Sequence, residues 1–517
     1  MNSSTRPAGR AAAITSATLL LLFGGPAAWP ALTGSDAAAA TVTSTKAWYP
    51  DLALADLPDS SAEPGTVPGP GNWQPPPVDM TQLPTAAMSA PPASTNYQQK
   101  DQCVSSGVTG TPLTKVPPAQ AMLDIGQAQQ LSTGKNVTVA VIDTGVNPHP
   151  FLDNGGRLTG GGDYVAPSAQ NNGTVDCDGH GTITAGIVAA DTRGSGLGFI
   201  GVAPDASILA IRQTSQVYTT TDATGQETTA GTTQSLAEAI RHAADTPGVG
   251  VITTSLDDCI PATDAANLSN SGSGDPELQA AVHYAVTKNI VVVNSAGNVG
   301  STNCEQVPQN DDPDPNNVKQ IEIPAVYADD VLSVASVDPA TGSVSSFSEW
   351  GPWVSVAAPG EGIYSVDPGR GASGLANLYT EPGTTTTNAI QGTSFAAPYV
   401  AGLAALIRAK YPTMSAREVM YRIEATAQHP SGPDGRNNQV GYGVINPVAA
   451  LTALVPGQNG VPIPTVKPIP ARAPNSLATD SLPMRIALIG IAGAGLLLLL
   501  IYFTVRTNRH NRQQRTG

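Results

Sequence analysis

Between residues 119 and 427, short apolar runs rich in β-branched residues alternate with segments of helical pattern, and this alternation limits the fold more than any other feature of the chain. The strand-like runs are 137–142, 207–211, 249–253, 290–294 and 331–336. They are apolar over consecutive residues, not on every second one, so each is expected to be buried on both faces. Helical segments lie at 119–131, 180–190, 235–244, 276–287, 394–410 and 416–427. Asp275 ahead of Pro276 and Glu277, and Ser415 ahead of Ala416, supply the capping and first-turn chemistry that starts two of them. Continuous strands separated by helices predict an α/β domain with a doubly wound, mostly parallel sheet covered by helices on both faces. In such sheets function gathers at the carboxyl ends of the strands.

Outside that stretch the texture changes. Residues 35–115 and 458–483 are rich in proline and small residues and lack apolar periodicity, so both read as extended segments, the second as a stiff spacer. Near the N-terminus, Arg6 and Arg10 precede an apolar stretch at 11–23 and then small residues, the layout of a secretory signal peptide. An uncleaved anchor is the other reading, because many alanines blur the cleavage site. Near the C-terminus, residues 486–505 carry no charge; at about 1.5 Å per residue they span the roughly 30 Å of a bilayer core. Arg506, Arg509, Arg512 and Arg515 follow, which places the tail in the cytoplasm and the bulk of the chain outside. The expected organisation is a signal peptide (1–34), an N-terminal extension (35–118), a globular domain (119–455), a linker (456–484), a transmembrane helix (485–505) and a basic cytoplasmic tail (506–517).

Charge narrows the partners. Seven of the 25 basic residues sit in the leader and around the C-terminal apolar run, leaving 18 against 40 acidic ones, about −22. A surface of that sign repels polyanions, so no nucleic-acid partner is expected. Four cysteines (Cys103, Cys177, Cys259, Cys304) fit an exported chain with two disulfides, and three pairings are open. A zinc site is the weaker alternative, since no C-x-x-C occurs.

Four polar residues stand where chemistry would be expected. Asp143 closes the first strong strand in Val141-Ile142-Asp143-Thr144-Gly145, at the functional edge of the sheet, where a carboxylate needs a hydrogen-bond partner. Asp-Thr-Gly also occurs in aspartic proteases, which need two such carboxylates sharing a proton; no second copy is present, so that reading would require a homodimer. His180 lies between two glycines at the start of a helix. Ser394, in Gly392-Thr393-Ser394-Phe395-Ala396-Ala397-Pro398, opens another. A serine there is first of all a cap, but the same position sets the helix dipole and a backbone N–H beside a developing oxyanion. Asn298 ends Ser295-Ala296-Gly297-Asn298, a turn signal whose side-chain amide could donate a second oxyanion bond.

Taken together and in this order, the blocks DTGV, DGHGT, SAGN and GTSFAAP resemble the signature blocks of subtilisin-like serine proteases over roughly 119–455. The resemblance implies a triad of Asp143, His180 and Ser394, with Asn298 in the oxyanion hole. It also implies substrate-binding segments at Ser255-Leu256 and Ser295-Ala296-Gly297, and a structural turn at Ala357-Ala358-Pro359-Gly360. The appendages, and Ile183 after His-Gly-Thr, make the chain similar to the mycosins, the membrane-anchored proteases of type VII secretion systems. That likeness implies disulfides Cys103–Cys177 and Cys259–Cys304. It also implies protein or peptide substrates and a type VII membrane complex as partner. A mainly structural role in that complex is the alternative. Many subtilisins carry a compact, cleaved propeptide, but residues 38–115 lack the apolar periodicity to fold as one, so the extension is expected to stay attached and wrap the domain, pinned by Cys103.

The sequence departs from the family pattern in places. The stretch 194–201 lacks the asparagines of the family's calcium loop, so no metal is expected there, and no cofactor elsewhere. The acidic loop 311–314 reads as solvated. Asp257 stands beside the substrate strand where a small residue is usual, and the insertions 213–233 and 360–392 are long.

Overall fold

The structure is a computed structural model that describes residues 75–85, 96–104, 113–167, 172–221, 225–255, 258–261, 275–300, 304, 318–380, 383–431, 435–458, 461 and 482–513. The expected signal peptide, most of the extension and spacer, Leu256, Asp257 and the loop 311–314 lie outside the described residues.

Seven strands form the central sheet: β1 Thr138–Asp143, β2 Leu158–Asp163, β3 Ser207–Arg212, β4 Val249–Thr254, β5 Val291–Ser295, β6 Leu332–Val337 and β7 Val356–Pro359. Their order is β7-β6-β5-β4-β1-β3-β2, and every pairing is parallel. The chain leaves β1 toward β3 and β2, then returns to build the other half from β4. The carboxyl end of β1 therefore sits at the topological switch, where open sheets form their crevice. Strands β5, β6 and β7 are buried at every residue, as their uninterrupted apolar character requires.

Helices flank this sheet. α1 His180–Ala189 packs against α4 Thr393–Lys410, which lies on β4, β5, β6 and β7 and is buried along nearly its whole length. Its alanines and Gly402 let it approach closely; a Cβ on Gly402 would lie 2.5 Å from the Val202 side chain. α2 Thr233–Asp245 and α3 Asp275–Thr287 pack on each other as a second pair. α5 Ala416–Ala425 begins with a capping box in which Ser415 and Glu418 serve each other's backbone N–H groups.

Three local expectations are revised. The single helix expected at 119–131 is two short helices, Pro118–Met122 and Ile125–Gln129, because Asp124 between them adopts a left-handed conformation (φ 50°). Ala357, Ala358 and Pro359 belong to β7, so the expected turn begins only at Gly360, whose carbonyl accepts from Gly392 N–H at 2.9 Å. The folded body also continues past residue 455. Gln458 is buried, accepts from Arg422 Nη1 at 2.9 Å and donates to the Glu418 carbonyl at 2.7 Å.

The two insertions fold into small sheets. Ser215–Thr221 pairs with Glu227–Ala230 and, on its other edge, with Gln98–Gln99 of the N-terminal extension. Leu378–Thr380 pairs with Thr387–Ala389 in the second insertion. Disulfides join Cys103 to Cys177 and Cys259 to Cys304. The stretch 194–201 also meets the extension. Gly198 N–H donates to the Leu113 carbonyl at 2.8 Å, and any side chain at Gly198 would run into the Lys115 backbone.

One helix, Leu482–Gln513, contains a 24-residue segment, Ile486–Arg509, long and apolar enough to cross a membrane. At about 1.5 Å per residue it extends about 36 Å. Its apolar side chains from Ile486 to Val505 are exposed, which suits lipid better than water.

Candidate active site

Asp143 is the last residue of β1 and is almost wholly buried. One carboxylate oxygen accepts from Thr144 N–H at 2.7 Å, and Thr184 Oγ1 lies 3.5 Å from the other. Both oxygens face His180 Nδ1, at 2.8 and 3.0 Å. A carboxylate only accepts, so Nδ1 carries the proton and Nε2 is left with a lone pair. That lone pair meets Ser394 Oγ at 2.9 Å. Three residues far apart in sequence thus form one continuous hydrogen-bonded line. The Phe395 ring lies against the imidazole, with centroids 4.7 Å apart.

Burial alone would lower the His180 pKa. The Asp143 carboxylate, with Asp176 and Asp178 adding in the same direction, outweighs it, and the ring titrates above its ordinary 6.5. A base that must be neutral to act then loses activity as pH falls through that raised value.

The meeting of Asp143 and His180 depends on Gly181. A Cβ there would lie 2.1 Å from the Gly145 carbonyl oxygen and 3.0 Å from Asp143 Cβ. Gly181→Ala is expected to push α1 away from β1 and slow reaction with a fluorophosphonate by about 10²-fold, the scale of a 1 Å misplacement. A rate within threefold of the parent chain would show that the contact is not limiting.

Asn298 follows β5 through Ser295, Ala296 and the left-handed Gly297 (φ 97°). Its Oδ1 accepts from Thr393 N–H at 3.0 Å and from Thr393 Oγ1 at 3.1 Å, while Thr393 Oγ1 is also 3.1 Å from the Gly297 carbonyl. A backbone N–H can only donate, so the amide orientation is fixed and Nδ2 is the end with protons to give. On the other wall, Ser255 Oγ lies 3.5 Å from the Ser394 carbonyl, a long contact. Ser255 and Gly297 thus meet the start of α4, and Ser295 and Ala296 lie directly before Gly297 at the end of β5.

A cleft of about 140 Å³ opens beside the imidazole. It is walled by Ser255, by Thr214 and Gln216 of the first insertion, and by Tyr379 of the second. Tyr379 also lines a neighbouring hollow of about 290 Å³ with Asn388, Ala389 and Gln391. The insertions thus shape the cleft, which their low apolar periodicity did not announce.

Sequence reasoning also passed over Asp176 and used Asp178 only as part of a motif. Both are buried directly before His180. Burial, and then the neighbouring Asp178, raise the Asp176 pKa, while hydrogen bonds from Thr182 and Gly179 oppose the rise by favouring the charged carboxylate. Asp178 is raised by burial as well; it accepts from Ser215 Oγ at 2.6 Å and Gln216 N–H at 2.7 Å. Among the described residues the one grouping with metal-ligand chemistry is Cys259, Cys304 and Glu322, and its two sulfurs are already bonded to each other.

Residues 134–443 match the model of the subtilase family. The chain is similar to Mycosin-4 of Mycobacterium tuberculosis, at 38% identity over 86% of this chain and 92% of the relative. Its fold is similar to the MycP3 protease from the type VII (ESX-3) secretion system, with a TM-score of 0.63 and 38% identity, covering 74% of this chain and 100% of that one. It is also similar to a chain of an intact ESX-5 inner membrane complex, with a TM-score of 0.65 and 35% identity over 84% of this chain and 99% of that one.

Proposed function

The chain belongs to the subtilase family and, within it, to the mycosins, and from that premise we propose that it is a serine endopeptidase acting through Asp143, His180 and Ser394. The observation that carries this reading is the unbroken line from Asp143 through His180 to Ser394, with contacts of 2.8 and 2.9 Å. Ser394 Oγ attacks the scissile carbonyl while His180 Nε2 takes its proton. Asp143 holds the ring in the required tautomer and stabilises the imidazolium. Asn298 Nδ2 and the Ser394 N–H receive the charge that develops on the carbonyl oxygen. His180 then protonates the leaving amine, and water releases the acyl group by the same route in reverse. An extended substrate segment is held between Ser255-Leu256 and Ser295-Ala296-Gly297. No cofactor is called for.

The membrane helix and the likeness to a chain of the ESX-5 inner membrane complex support a second role, as a component of a type VII membrane assembly. In that arrangement the catalytic domain stands outside and the Arg-rich tail lies in the cytoplasm. The N-terminal extension stays attached through Cys103.

Two experiments test these readings. The full chain in detergent should react with a fluorophosphonate, and the adduct should map to Ser394. A chain that stays unlabelled would leave the structural role alone standing. A chain ending at residue 481 should leave the membrane and fail to restore secretion to a deletion strain. Full restoration would refute the anchoring role.

A further inference from the structure

Asp176 is hydrogen-bonded to both the segment that carries Asp143 and the segment that carries His180. Its Oδ1 accepts from Thr144 Oγ1 at 2.9 Å and from Gly179 N–H at 2.7 Å. Its Oδ2 accepts from Thr182 N–H at 2.8 Å and Thr182 Oγ1 at 2.6 Å. The direction of these bonds follows from the backbone. Gly181 N–H donates to Thr144 Oγ1 and Asn147 N–H donates to Thr182 Oγ1, both at 2.9 Å. Each hydroxyl that receives one of these protons passes its own to Asp176. The ionised carboxylate therefore meets four donors, and each is satisfied by it.

The same residue is fixed from behind. Asn147 Nδ2 donates to the Asp176 carbonyl at 2.7 Å, and Asp176 N–H donates to Asn147 Oδ1 at 3.0 Å. The side chain thus ties the segment after β1 to the first turn of α1 without touching the reacting atoms. Thr144 is the residue whose N–H holds Asp143, while Gly179 and Thr182 bracket His180.

The geometry points to Asp176 as a positioning residue for the triad: it sets the separation and angle between Asp143 and His180. This inference rests on the serine-protease reading above. A neutral amide at 176 has the right shape but turns an N–H₂ toward donors that already point at it, so the two segments part. The charged groups acting on His180 are Asp143 from the end of β1 and Asp176 and Asp178 from the loop before α1, with Arg212 acting on Asp178.

The test uses the full chain in detergent and the second-order rate of reaction with a fluorophosphonate, expressed per site that is finally labelled. Asp176→Asn is expected to slow that rate by about 10²-fold. It should also move the acid limb of the pH–rate profile to lower pH, because a negative charge near His180 is gone. A purely structural role would reduce the number of labelled sites and leave both the rate per site and the acid limb in place; that result would overturn the proposal. If Asp176→Asn does not fold, Thr144→Val and Thr182→Val each remove one hydroxyl donor and should slow the rate per site by about tenfold, one hydrogen bond's worth. Unchanged rates in both would equally overturn it. A parent chain that does not react at all would instead defeat the protease reading itself.

Discussion

Ser394→Ala is expected to lower cleavage of a labelled protein substrate by about 10⁶-fold, the scale found when the triad serine of subtilisin itself is removed. The loss is that large because the three residues act as one unit. Without Oγ, the lone pair on His180 Nε2 has no proton to take, and the tautomer held by Asp143 serves no purpose. The substitution should not unfold the chain. Ser394 is one small residue in the first turn of a helix buried along nearly its whole length, and removing its hydroxyl leaves the packing of α4 unaltered. The same variant should therefore sustain secretion in a deletion strain while the exported substrate stays uncleaved. The measurement is paired, substrate processing and secretion from one culture. A variant that stops secretion as completely as deletion of the gene would show that assembly and catalysis are inseparable.

Asn298→Ala is expected to slow cleavage by about 10²- to 10³-fold, the usual effect of losing one oxyanion donor. Alanine also deprives Thr393 N–H of its acceptor, so the loss could be blamed on a displaced helix start. Asn298→Asp separates the two effects. It keeps an oxygen for Thr393 but replaces the donor end by a second acceptor, bringing negative charge where negative charge must develop. The aspartate variant should be at least as slow as the alanine variant. Cleavage within tenfold of the parent chain for both would remove Asn298 from the mechanism.

What could be read from the chain was what local demands had written into it. Asp143 ends a run of apolar residues, His180 is set between glycines, and Ser394 opens a small-residue helix, so each carried its own signal in adjacent positions. Strands β5 and β6 were visible for the same reason, as unbroken apolar runs. β2 was not: its sequence, LTGGGD, has three glycines and little β character, and pairing with β3 makes it a strand. Asp176 was invisible because its donors come from Thr144, Gly179 and Thr182, and Thr144 reaches it only after β1 and α1 are assembled. The anchoring of Gln458 is likewise set by tertiary contacts. The cleft walls from Thr214, Gln216 and Tyr379 depend on how long insertions fold back, which periodicity does not encode.

Cys177, the sulfur partner of Cys103, lies between Asp176 and Asp178, so the N-terminal extension is covalently held on the very loop that precedes His180. A protease that cut the backbone between residues 104 and 119 would release nothing. The severed piece would remain at an effective local concentration on the order of millimolar, enough to keep its short strand seated against Ser215–Thr221. Departure of the extension then takes two independent events, a peptide hydrolysis and the delivery of two electrons. Gel mobility without reductant would report an intact molecule long after its backbone had been nicked.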